Sequence, residues 1–179
     1  MAKLKHREEE LQMCLARYIR YERTMLAATY TYLELDHGWI INNALIESFS
    51  VHARNLIDFY RGKQDFLASE FTNEPYKPEY VSANTGKVGN KLYAKLNEQI
   101  VHISKKRTII YSEKIGPSDR ILIVDALAQE WVHFRSKLKN QYKDLVGTSD
   151  HCPENLNVTA DYGNSALNPQ SRPTGSASR

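Results

Sequence analysis

The feature that most constrains this chain is the spacing of its apolar residues, which recur every three to four positions from about residue 3 to residue 146. That period is helical, and a chain patterned this way buries itself by packing helix on helix. Leu11, Leu15, Tyr18, Met25, Thr29 and Leu33, widened by Ile19 and Leu26, predict a first helix over about residues 3–34. Asp36 is the expected N-cap of a second helix, about 39–60, whose inward positions are Ile41, Leu45, Phe49, Ala53, Leu56 and Phe59/Tyr60. Gly62 supplies its stop, and a short helix is expected over about 64–71. Residues 73–86 carry Pro75, Pro78, Asn84 and Gly86 and read as a loop. A helix over about 87–106 follows, with Val88, Leu92, Leu96, Ile100 and Ile103 on one face. The connector 107–116 contains TIIY, which suits a brief extended stretch. Pro117, Ser118 and Asp119 open the last helix, with Ser118 as N-cap and a seam of Val124, Leu127, Trp131, Phe134, Leu138 and Leu145, joined by Tyr142. The fold class is therefore all-α, an antiparallel bundle of four to five helices.

Composition narrows the function classes. The chain has 179 residues, enough for one ordinary domain, with 41% hydrophobic and 25% charged residues. No apolar run approaches the roughly 18 residues of a membrane span. The opening MAKLKHREEEL is too charged for a signal peptide, so a cytoplasmic protein without a membrane role is expected. Cys14 and Cys152 are too few for a disulfide framework or for a four-ligand zinc site. Residues 147–179 are rich in Ser, Asn, Thr, Gly and Pro and hold few large apolar side chains, so they read as a disordered tail behind a domain of residues 1–146.

The net charge of +3 is small, but its distribution is uneven. Between Gly86 and Arg107, Lys87, Lys91, Lys95, Lys105, Lys106 and Arg107 face one acid, Glu98. Such a face attracts phosphates by Coulomb forces and counterion release; it is also what an ordinary solvated helix presents. Lys95, Lys105 and Lys106 are the candidate RNA contacts. Arg17, Arg20 and Arg23 form a looser cluster diluted by Glu22.

Patterns for common chemistries are missing: no GxxxxGK[ST], HExxH, CxxC or GxSxG occurs, and no cofactor or metal is indicated. Glu130 and His133 have ExxH spacing, but a di-metal bundle needs a second pair and two further carboxylates. Two polar groups interrupt apolar helical patterns. His52 follows Leu45 by seven residues and lies near the packed face, with Asn55 one turn later on the same side. Arg54 falls on another stripe with Glu47, Val51 and Asp58, where an i,i+4 ion pair with Asp58 is the plain structural role. The second group is Asn97, His102 and Arg107, whose spacing of five puts them on different faces. Histidine titrates nearest neutral pH, and arginine holds phosphate bidentately. A His and an Arg on one groove suffice for cleavage of RNA without a metal. Buried His and Asn in bundles equally serve as satisfied structural groups.

SFSVHARNLIDFY, NEQIVHISKKR and, between them, KQDFLASEF resemble three motifs of small bacterial helical proteins, with the patterns HARNLxDF and NxxxAHLTxxR in the first two. The likeness spans about residues 44–107 and points to the HEPN helical-bundle superfamily. It implies prokaryotic defence or toxin–antitoxin work, RNA or nucleotide binding, metal-independent ribonuclease activity in some members, and a homodimer with a groove between protomers. His52, Arg54, Asn55, His102 and Arg107 stand in the two motifs and become the candidate catalytic set. The superfamily's active ribonucleases carry an arginine followed a few residues later by a histidine. Here His102 precedes Arg107, and His52 precedes Arg54. The alternative reading is therefore a non-enzymatic adaptor that binds a protein partner.

Overall fold

The computed structural model describes residues 2–100 and 114–146. The expected TIIY stretch, His102, Lys105, Lys106, Arg107 and the tail from residue 147 lie outside the described residues. In chain order the elements are α1 (Ala2–Met13), a π-helical turn (Cys14–Ile19), α2 (Arg20–Tyr32), α3 (Trp39–Tyr60), α4 (Ala68–Phe71), α5 (Asn90–Ile100), α6 (Pro117–Lys137), α7 (Asn140–Lys143) and a 3₁₀ turn (Asp144–Val146). Among the described residues no helix is long and apolar enough to cross a membrane.

Pairwise contacts give the directions. Glu22 bonds His52 while Tyr30 packs on Phe49, so α2 and α3 are antiparallel. Lys87 pairs with Asp125 and Lys95 with Asp119, so α5 and α6 are antiparallel as well. Lys114, just before α6, bonds Asn43 near the start of α3, and Phe134 packs on Tyr60 at its end. Helices α3 and α6 thus run together, against α2 and α5, and the bundle is all-α and antiparallel. Its centre is aromatic. Phe134, fully buried, has ring neighbours Tyr76 at 5.4 Å, Phe59 at 5.5 Å and Tyr60 at 5.7 Å. Arg23 of α2 lies over Trp131 of α6, 3.9 Å from the ring centroid.

Several local details differ from the sequence expectation, each for a physical reason. Tyr18, expected on the first seam, is 51% exposed, whereas Ile19 and Cys14 are buried. The π turn from Cys14 to Ile19 has more residues per turn than an α-helix, which rotates Ile19 under Leu15 and turns Tyr18 outward. At the start of α3, Ile41 is exposed and Ile46, not Leu45, is buried. The N-cap of α3 is Gly38, at φ 81°, and the Asp36 carboxylate acts from two residues earlier, accepting the Gly38 N–H at 3.0 Å and the Asn42 amide at 3.1 Å. These bonds hold the Asp36 carboxyl below the usual carboxylate range. Helix α6 is capped at Gly116 rather than Ser118, with Pro117 in the first helical position and the Asp119 carboxylate accepting the Gly116 N–H at 3.0 Å. It ends at Lys137, short of Leu145, which is exposed. Leu138 leaves helical geometry because its neighbours pair with the end of α4: Lys139 N–H donates to the Phe71 carbonyl at 2.9 Å.

The loop from Asn73 to Gly89 is held from both sides. From α6, the buried Glu130 carboxylate accepts the backbone N–H groups of Glu79 (3.1 Å), Tyr80 (2.6 Å) and Val81 (3.1 Å) and the Tyr76 hydroxyl. From the end of α3, Arg61 donates to the carbonyls of Val81 and Val88, both at 2.7 Å. Val81 and Val88, within the loop, are fully buried. Within it, a Cβ on Gly86 would stand 2.4 Å from the Ser82 nitrogen and 2.5 Å from the Tyr80 oxygen. Gly86→Ala is therefore expected to destabilise by about 1–3 kcal/mol, the usual cost of overpacking, seen as a lower denaturant midpoint at unchanged slope.

Candidate functional site

Of the sequence candidates, the structure brings His52 and Asn55 together and separates them from Arg54. His52 and Asn55, one turn apart on α3, both reach across to Glu22 of α2. His52 Nδ1 lies 2.7 Å from Glu22 Oε2, and the Asn55 amide donates to Glu22 Oε1 at 3.2 Å. A carboxylate accepts only, so Nδ1 carries the proton and Nε2 keeps its lone pair in the neutral ring. Nε2 makes no hydrogen bond to the described residues. The His52 residue is 8% exposed, and Tyr21 covers it edge-on with ring centroids 5.6 Å apart.

Arg54 points elsewhere. Its Nε donates to Asp58 Oδ2 at 3.3 Å, the i,i+4 pair expected from spacing. Asp58 also accepts the Tyr93 hydroxyl of α5. Burial and this bond push the Tyr93 hydroxyl above its ordinary value. Lys95 pairs with Asp119 at 2.6 Å, and Lys87 with Asp125 at 2.6 Å, so two lysines of the basic stretch hold α5 and the loop before it to α6. His102, Arg107, Lys105 and Lys106 lie outside the described residues.

Beside the Glu22 cluster is an open cavity of about 170 Å³, between the π turn, α2, the end of α3 and the chain that follows it. Glu22, Asn55 and Gln64 give it polar edges, and Phe59 and Phe66 line it as well, with the Arg7 guanidinium 4.8 Å from the Phe66 ring centroid. Cys14 also lines it, but burial pushes that thiol up to about 12, with Glu70 adding to the rise, so it stays a protonated, unreactive group at neutral pH.

Glu130 and His133 do not share a site. The Glu130 carboxylate is spent on the loop amides and Tyr76, while His133 lies 3.4 Å from Glu79 at the rim of a larger groove of about 740 Å³. Burial, then the bond to Glu130, raises the Tyr76 hydroxyl far above its ordinary value.

Sequence reading missed Glu22, Gln64 and Phe66. Glu22 left a signal: it stands seven residues after Leu15, three after Ile19 and four before Leu26, an acid in an apolar seam. Gln64 and Phe66 left none, because a loop brings them in. No family model, curated protein or solved structure matches this chain.

Proposed function

We propose that this chain is a HEPN-like RNA-binding protein of prokaryotic defence or toxin–antitoxin type, and that it cleaves RNA without a metal at His52. The observation that carries this reading is the Glu22–His52 contact at 2.7 Å, supported by Asn55 on the same carboxylate. A carboxylate on Nδ1 leaves Nε2 as a base of fixed orientation, the arrangement general-base chemistry requires. In the reaction Nε2 takes the proton of a ribose 2′-hydroxyl. The 2′-oxygen then bonds to the adjacent phosphorus as the bond from phosphorus to the 5′-oxygen breaks. Solvent protonates the leaving oxygen, and the products carry a 2′,3′-cyclic phosphate and a 5′-hydroxyl. Tyr21, exposed apart from its contact with the ring, swings aside to admit the strand, and the exposed Arg17 and Arg20 lie within one turn of it. They supply phosphate contacts in place of Arg54, which is engaged with Asp58. Formation of a homodimer and a cytoplasmic location belong to the same proposal.

Labelled single-stranded RNA incubated with the purified chain in EDTA is expected to yield cyclic-phosphate ends. His52→Ala is expected to lower the rate at least a hundredfold, as loss of a general base does. Intact RNA with the unaltered protein rejects the enzyme.

A second reading has its own observation. Trp39 (76% exposed), Ile40 (74% exposed) and Ile41 form an apolar run at the start of α3, with exposed Leu35 four residues before it. Consecutive large side chains left in water are typical of contact surfaces. An adaptor built on that run binds a protein and shows no steep fall of RNA affinity with salt, which separates it from the first reading.

A further inference from the structure

We infer that the cavity beside His52 is a nucleobase subsite selective for guanine. The inference rests on the RNA reading above and names the part of the substrate that the site recognises. Three observations support it. The first is size: about 170 Å³ is well below the roughly 300 Å³ or more that drug-sized ligands fill, and it suits one planar ring system. The second is lining. Buried Phe59 and half-buried Phe66 line it, the Arg7 guanidinium lies 4.8 Å from the Phe66 ring centroid, and unstacked RNA bases are commonly received on aromatic side chains and guanidinium planes. The polar groups Glu22, Asn55 and Gln64 stand at the edges, where a base presents its hydrogen-bonding groups.

The third observation concerns the kind of base. Glu22 accepts one hydrogen bond on each oxygen, from His52 at Oε2 and from Asn55 at Oε1. An ionised carboxylate has about four lone-pair sites, so each oxygen retains one acceptor position. Two adjacent acceptors call for two adjacent N–H donors. Guanine offers them, N1–H beside the N2 amino group, on its Watson–Crick edge. Adenine and cytosine place an acceptor beside their amino donor, and uracil flanks its single N–H with carbonyls. A base seated on Glu22 is also one residue's width from His52, because both share that carboxylate. Recognition and proton transfer are thereby joined at Glu22, which is a positioning residue for His52 and the specificity-determining residue for the base.

The test titrates guanosine, inosine and adenosine 5′-monophosphates separately into the full chain. The side-chain amide signals of Asn55 and Gln64 are followed by NMR. The guanosine nucleotide is expected to bind about tenfold tighter than the adenosine nucleotide, the discrimination one bidentate pair supplies. The inosine nucleotide, which lacks the N2 amino group, falls between them. Gln64→Ala, on an exposed loop, and Phe66→Leu are expected to weaken guanosine-nucleotide binding severalfold with the fold intact. Glu22→Gln is expected to erase the preference. Equal affinity for the three nucleotides, or shifts that leave both amides unmoved, overturns the subsite. The two proposals fail separately. Cleavage of RNA with no preference for guanosine keeps the ribonuclease and sinks the subsite. A guanosine preference in a chain that leaves RNA whole keeps the subsite and sinks the ribonuclease.

Discussion

Replacing Glu130 by alanine is expected to lower the stability of the bundle by about 3–5 kcal/mol. The carboxylate is fully buried and is the acceptor for three consecutive loop amides and the Tyr76 hydroxyl. Alanine removes all of these acceptors at once. The orphaned N–H groups either stay dry, at about 1–3 kcal/mol each, or draw water into the core by displacing the loop. Val81 and Val88 then lose their cover, which adds a hydrophobic loss to the polar one. For a domain of this size the thermal midpoint should fall on the order of 10 °C. Tyr76→Phe is the calibrating variant, since it deletes one donor and leaves the amides satisfied, and about 1 kcal/mol is expected. A Glu130→Ala protein that melts within a degree or two of the parent would show that the loop is held by something else.

Phe134→Ala should cost a similar 3–5 kcal/mol by a different mechanism, the cavity left when a large core ring is deleted. Phe134 is fully buried and has aromatic neighbours on three other segments, Phe59 and Tyr60 of α3, Phe71 of α4 and Tyr76 of the loop, besides Trp131 on its own helix. Rigid rings held by several elements collapse poorly around a void, so the value belongs at the upper end of the range. Phe134→Leu, which refills most of the volume, should lose roughly half as much, measured by denaturant unfolding. Glu130 lies one turn before Phe134, and both touch Tyr76. The double variant should lose less than the sum of the two single losses, because the first substitution already releases the loop.

The helices were legible because their apolar spacing repeats over many turns, and the period averages out single exceptions. The facing of His52 and Asn55 followed from a separation of three residues, and the Arg54–Asp58 pair from a separation of four. Phase was lost at the π turn, since Leu15 to Ile19 is also an α-helical spacing and nothing in the letters distinguishes the two. The end of α6 at Lys137 was not legible either, because backbone pairing between Phe71 and Lys139, far apart in sequence, decides it. The prolines marked residues 73–86 as a loop but said nothing of its fixed shape, whose chief determinant lies about fifty residues downstream at Glu130. Glu22 and Glu130 share one overlooked signature. Each replaces an apolar residue on a seam, Glu22 between Ile19 and Leu26, Glu130 between Leu127 and Phe134. An acid in such a position must be matched by donors from another segment, so it marks where long-range polar contacts form.

The Glu130 contact also has a dynamic consequence. Amides that donate to a fully buried carboxylate meet solvent only when the loop lifts away from α6. The stretch from Tyr76 to Val81 is therefore expected to resist hydrogen exchange far more than its lack of helix or strand would suggest. Because its opening breaks the three amide bonds and the Tyr76 bond together, the stretch opens as one piece rather than by gradual loosening.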